Sequence, residues 1–248
     1  MKSKKLFSAL LGLVIVLLLW QFGSMALAKS FLPTPMASFS AFTDALVHGD
    51  LLRHFKISTF RVLISIILAL LLAVPAGLAM GRIPAIGRIF NPVIYLLYPL
   101  PKVVFLPIIV VLLGLGNVPK IFLIALVIFF QILVVTRDAA AAIPAASILS
   151  MRSLNATPLQ TLYHLILPAC LPQILTSLRI TLGTAIAILF FAETFASFDG
   201  LGYFILNGME VRDYPAMYAG IIAMAILGLI LYAIVDGLEQ YFCQYKTH

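Results

Sequence analysis

Few side chains in this 248-residue sequence are equipped for chemistry, and their spacing narrows what that chemistry can be. The four histidines, His48, His54, His164 and His248, are scattered and share no ligand spacing with a cysteine or a carboxylate, so no metal site is expected. Cys170 and Cys243 supply neither a disulfide framework nor a ligand pair and read as two unpaired thiols in or near apolar helices. The His-Glu-x-x-His and Gly-x-Ser-x-Gly motifs do not occur, nor does a Gly-x-x-x-x-Gly-Lys-Ser/Thr phosphate loop. No catalytic residue is therefore assigned. Two features remain. Glu193 is an acidic residue deep in an apolar run, where a charge is expensive and marks either a solute or ion pathway or a buried partner. The run Tyr95-Leu96-Leu97-Tyr98-Pro99-Leu100-Pro101-Lys102 places two prolines two residues apart. The carbonyls they leave without helical donors are tolerated only against protein or a water-filled cavity. Tyr95, Tyr98, Pro99, Pro101, Lys102 and Glu193 are thus candidates for lining a translocation path, with a kink packed inside a helical bundle as the other reading.

The elements that must position these residues are membrane helices. The chain is 63% hydrophobic and 10% charged, where a soluble domain carries roughly a quarter charged residues. Its net charge of +7 is spread along loops with no dense basic tract, which fits membrane orientation and not nucleic-acid binding. Runs near the ~20 apolar residues a span requires predict an all-α integral membrane protein with six transmembrane helices, at 6–28, 57–80 (interrupted by Pro75), 92–115, 121–136, 174–196 and 216–235. The organisation expected is a first helix and outer segment over 1–56, a core over 57–240 containing a loop at 138–172, and a short tail at 241–248. Within the outer segment a short surface helix is expected over 41–52, and 197–215 lies outside or dips partly into the membrane.

Lys2, Lys4 and Lys5 favour a cytoplasmic N-terminus. The same stretch resembles a signal peptide ending Ala26-Leu27-Ala28, although its length and Trp20 favour a retained span. The short loop 81–91, with Arg82 and Arg88, suits the cytoplasm, and Gly116-Asn117-Val118-Pro119 makes an outer turn. Four crossings then return the chain to the cytoplasm at Arg137, so 138–172 and the C-terminus lie inside. The inner side would hold Lys2, Lys4, Lys5, Arg82, Arg88, Arg137, Arg152, Arg179 and Lys246; the outer side Lys29, Arg53, Lys56, Arg61, Lys102, Lys120 and Arg212.

Between the fourth and fifth spans the pattern changes. Residues 145–154 predict a short helix, and Asn155 suits the left-handed conformation that ends one. Thr157-Pro158-Leu159-Gln160 reads as a new start, with Thr157 as N-cap, Pro158 in the first turn and Gln160 completing a capping box. Leu159, Leu162, Tyr163 and Ile166 follow at i, i+3, i+4, i+7 on one face, and Pro168 and Pro172 are expected to stop the helix. Pieces this short need a surface to pack on, either lipid headgroups, the bundle or another protein.

At these residues the sequence resembles the inner-membrane permease subunits of binding-protein-dependent ABC importers. That family carries a cytoplasmic loop with Glu-Ala-Ala, three residues, Gly, nine residues, then Ile-x-Leu-Pro. Here Asn155 stands at the Gly position, Leu165-Ile166-Leu167-Pro168 follows after the same interval, and Arg152-Ser153-Leu154-Asn155-Ala156 resembles the family's Arg-Ser-Leu-Gly-Ala. Pro99, Pro101 and Pro107, Ala192-Glu193 and Gly200-Leu201-Gly202-Tyr203 are shared too, and the likeness is to the nitrate, sulfonate and taurine branch. Leu149-Ser150-Met151 departs from the Glu-Ala-Ala pattern. The resemblance implies a type I ABC importer permease fold with a cytoplasmic coupling helix between helices four and five. It implies a coupling loop in which Arg152, Ser153, Leu154, Asn155, Ala156, Thr157, Pro158, Leu159, Leu162, Tyr163 and Pro168 meet an ATPase. The implied partners are a cytoplasmic ABC ATPase dimer that carries the ATP and Mg, an outer-side solute-binding protein, a second permease copy and the lipid of a bacterial inner membrane. The solute would be a small anion such as nitrate, a sulfonate or taurine, or a vitamin precursor. The competing expectation is an ion-coupled secondary transporter or channel using Glu193.

Overall fold

The computed structural model describes residues 2–27 and 29–243, with the side chains of 2–10 left out. The expected span end at Ala28 and the tail from 244 on, including Lys246 and His248, lie outside the described residues, as do the side chains of Lys2, Lys4 and Lys5. Every regular element among the described residues is helical. In chain order these are α1 (Lys2–Leu27), α2 (Pro35–Val47), α3 (Leu51–Arg82), α4 (Pro84–Leu97), a 3-10 turn (Lys102–Phe105), α5 (Leu106–Leu113) and α6 (Asn117–Ala141). After them come α7 (Ala145–Ser153), α8 (Pro158–Thr161), a π-helical turn (Leu162–Ile166), α9 (Leu167–Thr194), α10 (Leu201–Glu210) and α11 (Tyr214–Phe242).

Four helical stretches are long and apolar enough to cross a membrane: Leu51–Arg82, Asn117–Ala141, Pro158–Thr194 and Tyr214–Phe242. A fifth span results if Pro84–Leu97 and Lys102–Leu113, bent by 81°, count together, and Leu11–Leu27 is a shorter apolar helix. Several boundaries differ from the sequence expectation. The surface helix sits at α2, not 41–52, because Thr34 accepts the Ala37 amide and Pro35 opens the first turn. Pro75 does not interrupt its span: α3 runs through it, since the helix is held by neighbours and gives up one backbone bond. The basic loop 81–91 is almost all helix, broken only at Ile83. The turn before α6 begins at Gly114 and ends at Gly116, the first residue of the expected 116–119, and their φ values of 78° and 111° are ones only glycine adopts freely.

The largest correction concerns Pro168 and Pro172, which do not stop the helix. The Leu167 amide reaches back five residues to the Leu162 carbonyl, so the missing donor at Pro168 falls where π bonding gives way to α bonding. Pro172 is buried inside α9 between Cys170 and Ile174 and is carried by that packing. The chain is therefore helical without a break from Pro158 to Thr194.

Two compact units are distinguished. The first joins Met1–Ser58 with Phe198–Ile226. In it Trp20 donates to the Pro33 carbonyl at 3.0 Å and stacks on Tyr218 with centroids 5.3 Å apart, and Ser24 bonds the Leu32 carbonyl. Gly200 and Leu201 at the start of α10 donate their amides to His54 Nδ1 and Ser58 Oγ of α3. The second unit joins Thr59–Ser197 with Leu227–His248. Its α3 and α6 touch through backbone: a Cβ on Gly77 would fall 2.7 Å from the Thr136 Cβ, and one on Gly81 would lie 2.7 Å from the Ala140 Cβ. Small residues four apart let membrane helices approach this closely.

Candidate functional site

The segment between α6 and α9 is built from two locally encoded caps. At the end of α7 the Ala156 amide bonds the Met151 carbonyl and the Asn155 amide bonds the Arg152 carbonyl, with Asn155 at φ 55°. This is the Schellman pattern, and Asn is the residue after Gly that tolerates it best. Thr157 then accepts the Gln160 amide at 3.3 Å while the Gln160 side chain accepts the Thr157 amide at 2.8 Å, the reciprocal capping box. One side of the segment is anchored. Ile148, Leu162, Ile166 and Leu167 pack on a buried cluster of Leu78, Ala140, Ile143, Cys170 and Ile174. The other side is open: Leu154 is 77% exposed, Leu159 62%, Tyr163 59% and Leu149 58%. The stripe expected as one face thus divides. Leu162 and Ile166 turn to the core, and Leu159 and Tyr163 project outward, because a face that broad exceeds the width of the contact beneath it.

A second site lies where α4 ends. A cavity of about 1200 Å³ is lined by Tyr95, Tyr98 and Pro99 with Met80, Asn91 and Val134, and its polar end carries Arg137 and Asp138. Arg137 bonds Asp138 at 2.7 Å and donates to Asn91 at 3.2 Å. Tyr95 is among the most exposed aromatics, at 81%. Lys102 points elsewhere, with its ammonium on the carbonyls of Leu97, Tyr98 and Leu100.

A third feature is a fully buried ion pair. Arg61 Nη1 on α3 meets Glu193 Oε1 on α9 at 2.8 Å, with both side chains 0% exposed. Arg61 Nε donates to Asn117 Oδ1 at the start of α6, also at 2.8 Å. Arg61 and Lys120 (3% exposed) are both buried inside the helical body. A further pairing joins Arg179 on α9 to Asp236, at 2.5 Å, and to Glu239 on α11.

Residues 65–243 match the family described as the binding-protein-dependent transport system inner membrane component. The chain belongs to this family. It is 33% identical to the taurine transport system permease protein TauC of Escherichia coli (strain K12), over 88% of this chain and 82% of that protein. It is 28% identical to the putative aliphatic sulfonates transport permease protein SsuC of Bacillus subtilis (strain 168), over 94% and 85%. Its fold matches a chain of the MetNI methionine ABC transporter with a TM-score of 0.66 at 19% identity, covering 77% of this chain and 95% of that one. The protein is a multi-pass inner-membrane permease subunit of a binding-protein-dependent importer, all-α and of the ABC importer permease fold.

Of the permease residues singled out in the sequence, Arg152 to Leu159 gather on one capped turn, and Tyr163 extends it. Tyr95, Tyr98 and Pro99 share a cavity wall; Pro101, Lys102 and Glu193 are not part of it. Arg61 was missed as the partner of Glu193, and Asn117 as a second partner of Arg61. The available signal was the basic residue inside the predicted second span, whose natural counterpart is the acidic residue inside the fifth.

Proposed function

We propose that this permease docks a cytoplasmic ATP-hydrolysing dimer on the segment from Ala145 to Pro168 and admits solute along the α4–α6 groove in an assembly with a second copy of itself. The observation that carries the reading is the capped turn of α7 and α8. Leu154, Leu159 and Tyr163 stand exposed on a backbone fixed at both sides, while Ile148 and Ile166 root the same segment in the helical body. An exposed apolar tip with a rigid base is suited to receive a push and pass it on. Six spans follow when the bent α4–α5 pair and α1 are each counted as one crossing; in this reading both termini and the docking segment are cytoplasmic.

Of the basic residues expected outside, Arg61, Lys102 and Lys120 have internal partners, as do Arg82, Arg137 and Arg179 among those expected inside. The ATP and Mg belong to the partner, and an outer binding protein delivers the solute. Its class is a small sulfonate-like anion, by likeness to the taurine and aliphatic sulfonate permeases.

The test is co-purification of the ATPase with the permease and ATP-dependent uptake in vesicles. Leu154→Asp should abolish both, with the thermal midpoint of the permease unchanged, because the side chain it replaces is 77% exposed. Uptake that persists without ATP under an ion gradient would replace this reading with an ion-coupled carrier.

A further inference from the structure

The break between α4 and α5 holds an 81° bend inside a span, where water is scarce and each unpaired carbonyl is costly. Pro99 and Pro101 have no amide to offer, so the carbonyls of Tyr95 and Leu97 lose their donors four residues on. The Leu100 amide reaches the Leu97 carbonyl at 3.3 Å, and Lys102 donates to that carbonyl and to two of its neighbours. Its Nζ lies 3.0 Å from the Leu97 carbonyl oxygen, 2.9 Å from that of Tyr98 and 3.2 Å from that of Leu100. An ammonium has three hydrogens, and three carbonyls surround it. The same nitrogen sits 4.6 Å from the centroid of the Phe130 ring on α6 and 5.8 Å from that of Tyr98. Both rings add electrostatic attraction.

We infer that Lys102 is the clasp of this broken span, a positioning residue that fixes the bend and thereby the Tyr95–Tyr98–Pro99 wall of the groove, and is not a cationic ligand for an anionic solute. Its donors are committed to backbone, and it does not line the cavity. Phe130 ties the clasp to α6, which carries the opposite wall at Val134 and Arg137. The spacing of the groove walls is therefore set through one side chain.

The distance arm of the test stands on geometry alone; the uptake arm rests on the permease reading above. Spin labels at Tyr95→Cys and Val111→Cys, both highly exposed and flanking the break, are introduced with Cys170 and Cys243 replaced by alanine and diluted with unlabelled protein in nanodiscs. The clasp predicts a single narrow distance distribution for the parent. Lys102→Met should broaden it at least twofold, and Lys102→Arg, which keeps the donors, should restore it. In vesicles Lys102→Met should lower the maximal uptake rate by tenfold or more with the half-saturating solute concentration unchanged. Should Lys102→Met fail to fold, Lys102→Gln, with two amide hydrogens, should give intermediate broadening. An unchanged distribution in Lys102→Met or Lys102→Gln, or a raised half-saturating concentration at unchanged maximal rate, would overturn the inference.

Discussion

The buried pair Arg61–Glu193 allows a sharp test of how the second unit is held together. At 2.8 Å and an effective dielectric of ~20 the two charges attract by about 6 kcal/mol. Desolvating both groups offsets much of this, so the pair as a whole contributes little net stability. The penalty for stranding one partner is larger. With both side chains fully buried, Glu193→Gln or Arg61→Met alone should cost about 3–5 kcal/mol. A chain of this size loses about 2–4 °C of thermal midpoint per kcal/mol, so each single variant should melt roughly 6–20 °C lower. The double variant Arg61→Met/Glu193→Met removes both charges of the pair and should recover most of the loss, giving a coupling energy of at least ~2 kcal/mol. The assay is size-exclusion thermostability in detergent across the four-member cycle. Strictly additive losses, or single variants melting within about 2 °C of the parent, would refute the argument. Unchanged melting of Glu193→Gln together with loss of gradient-driven uptake would instead identify Glu193 as an ion-coupling group.

Other expectations follow from the same geometry. Gly77→Val and Gly81→Leu should each destabilise by about 1–3 kcal/mol, measured by thermal melting, because the added atoms meet Thr136 and Ala140 on α6. Thr157→Ala should speed amide exchange in the first turn of α8 by a factor of roughly 5, the equivalent of about 1 kcal/mol of lost capping. Asn155→Gly should be neutral, and Asn155→Val should cost about 1–2 kcal/mol, since a β-branched residue resists φ 55°. The chain's single tryptophan reports on the first unit, so Tyr218→Ala should shift its fluorescence to longer wavelength as the stacked ring is replaced by water.

What could be read from the sequence was what is local or periodic. The capping box at Thr157 and the left-handed Asn155 depend on a handful of adjacent residues, and both are present as expected. Proline effects were misjudged at Pro75, Pro168 and Pro172, because a helix buried among neighbours survives the loss of one backbone bond that would end a solvated one. At Pro99 and Pro101 two losses within one turn did break the helix, as their spacing implies. The pairing of Arg61 with Glu193 joins residues 132 positions apart; a basic and an acidic residue inside two apolar spans hint at it, and the fold brings them together. The groove was half legible: Tyr95, Tyr98 and Pro99 line it, while Lys102 folds back on its own backbone, a choice set by geometry that composition does not encode.

The uninterrupted helix from Pro158 to Thr194 changes how force would travel in the proposed assembly. Its 37 residues at 1.5 Å each span about 55 Å, nearly twice the ~30 Å hydrocarbon core, so it is longer than one crossing requires. The exposed Leu159 lies at one end and Glu193, bonded to Arg61, at the other. Had the prolines stopped the helix, motion of a docked ATPase would have been absorbed in a hinge. With no proline hinge, a displacement of the Leu154–Leu159 tip would be delivered along α9 to the Arg61–Glu193–Asn117 junction of α3, α6 and α9. The π-helical turn at Leu162–Ile166 is the one irregularity on the way, and its carbonyl-to-amide offset is where the rod is softest. Inserting a single alanine after Leu165 would rotate the tip by about 100° relative to α9. ATPase-driven uptake should then fail while the ion pair, and the melting that reports it, stay intact. Retained uptake in that insertion variant would show that the rod is not the element that transmits motion.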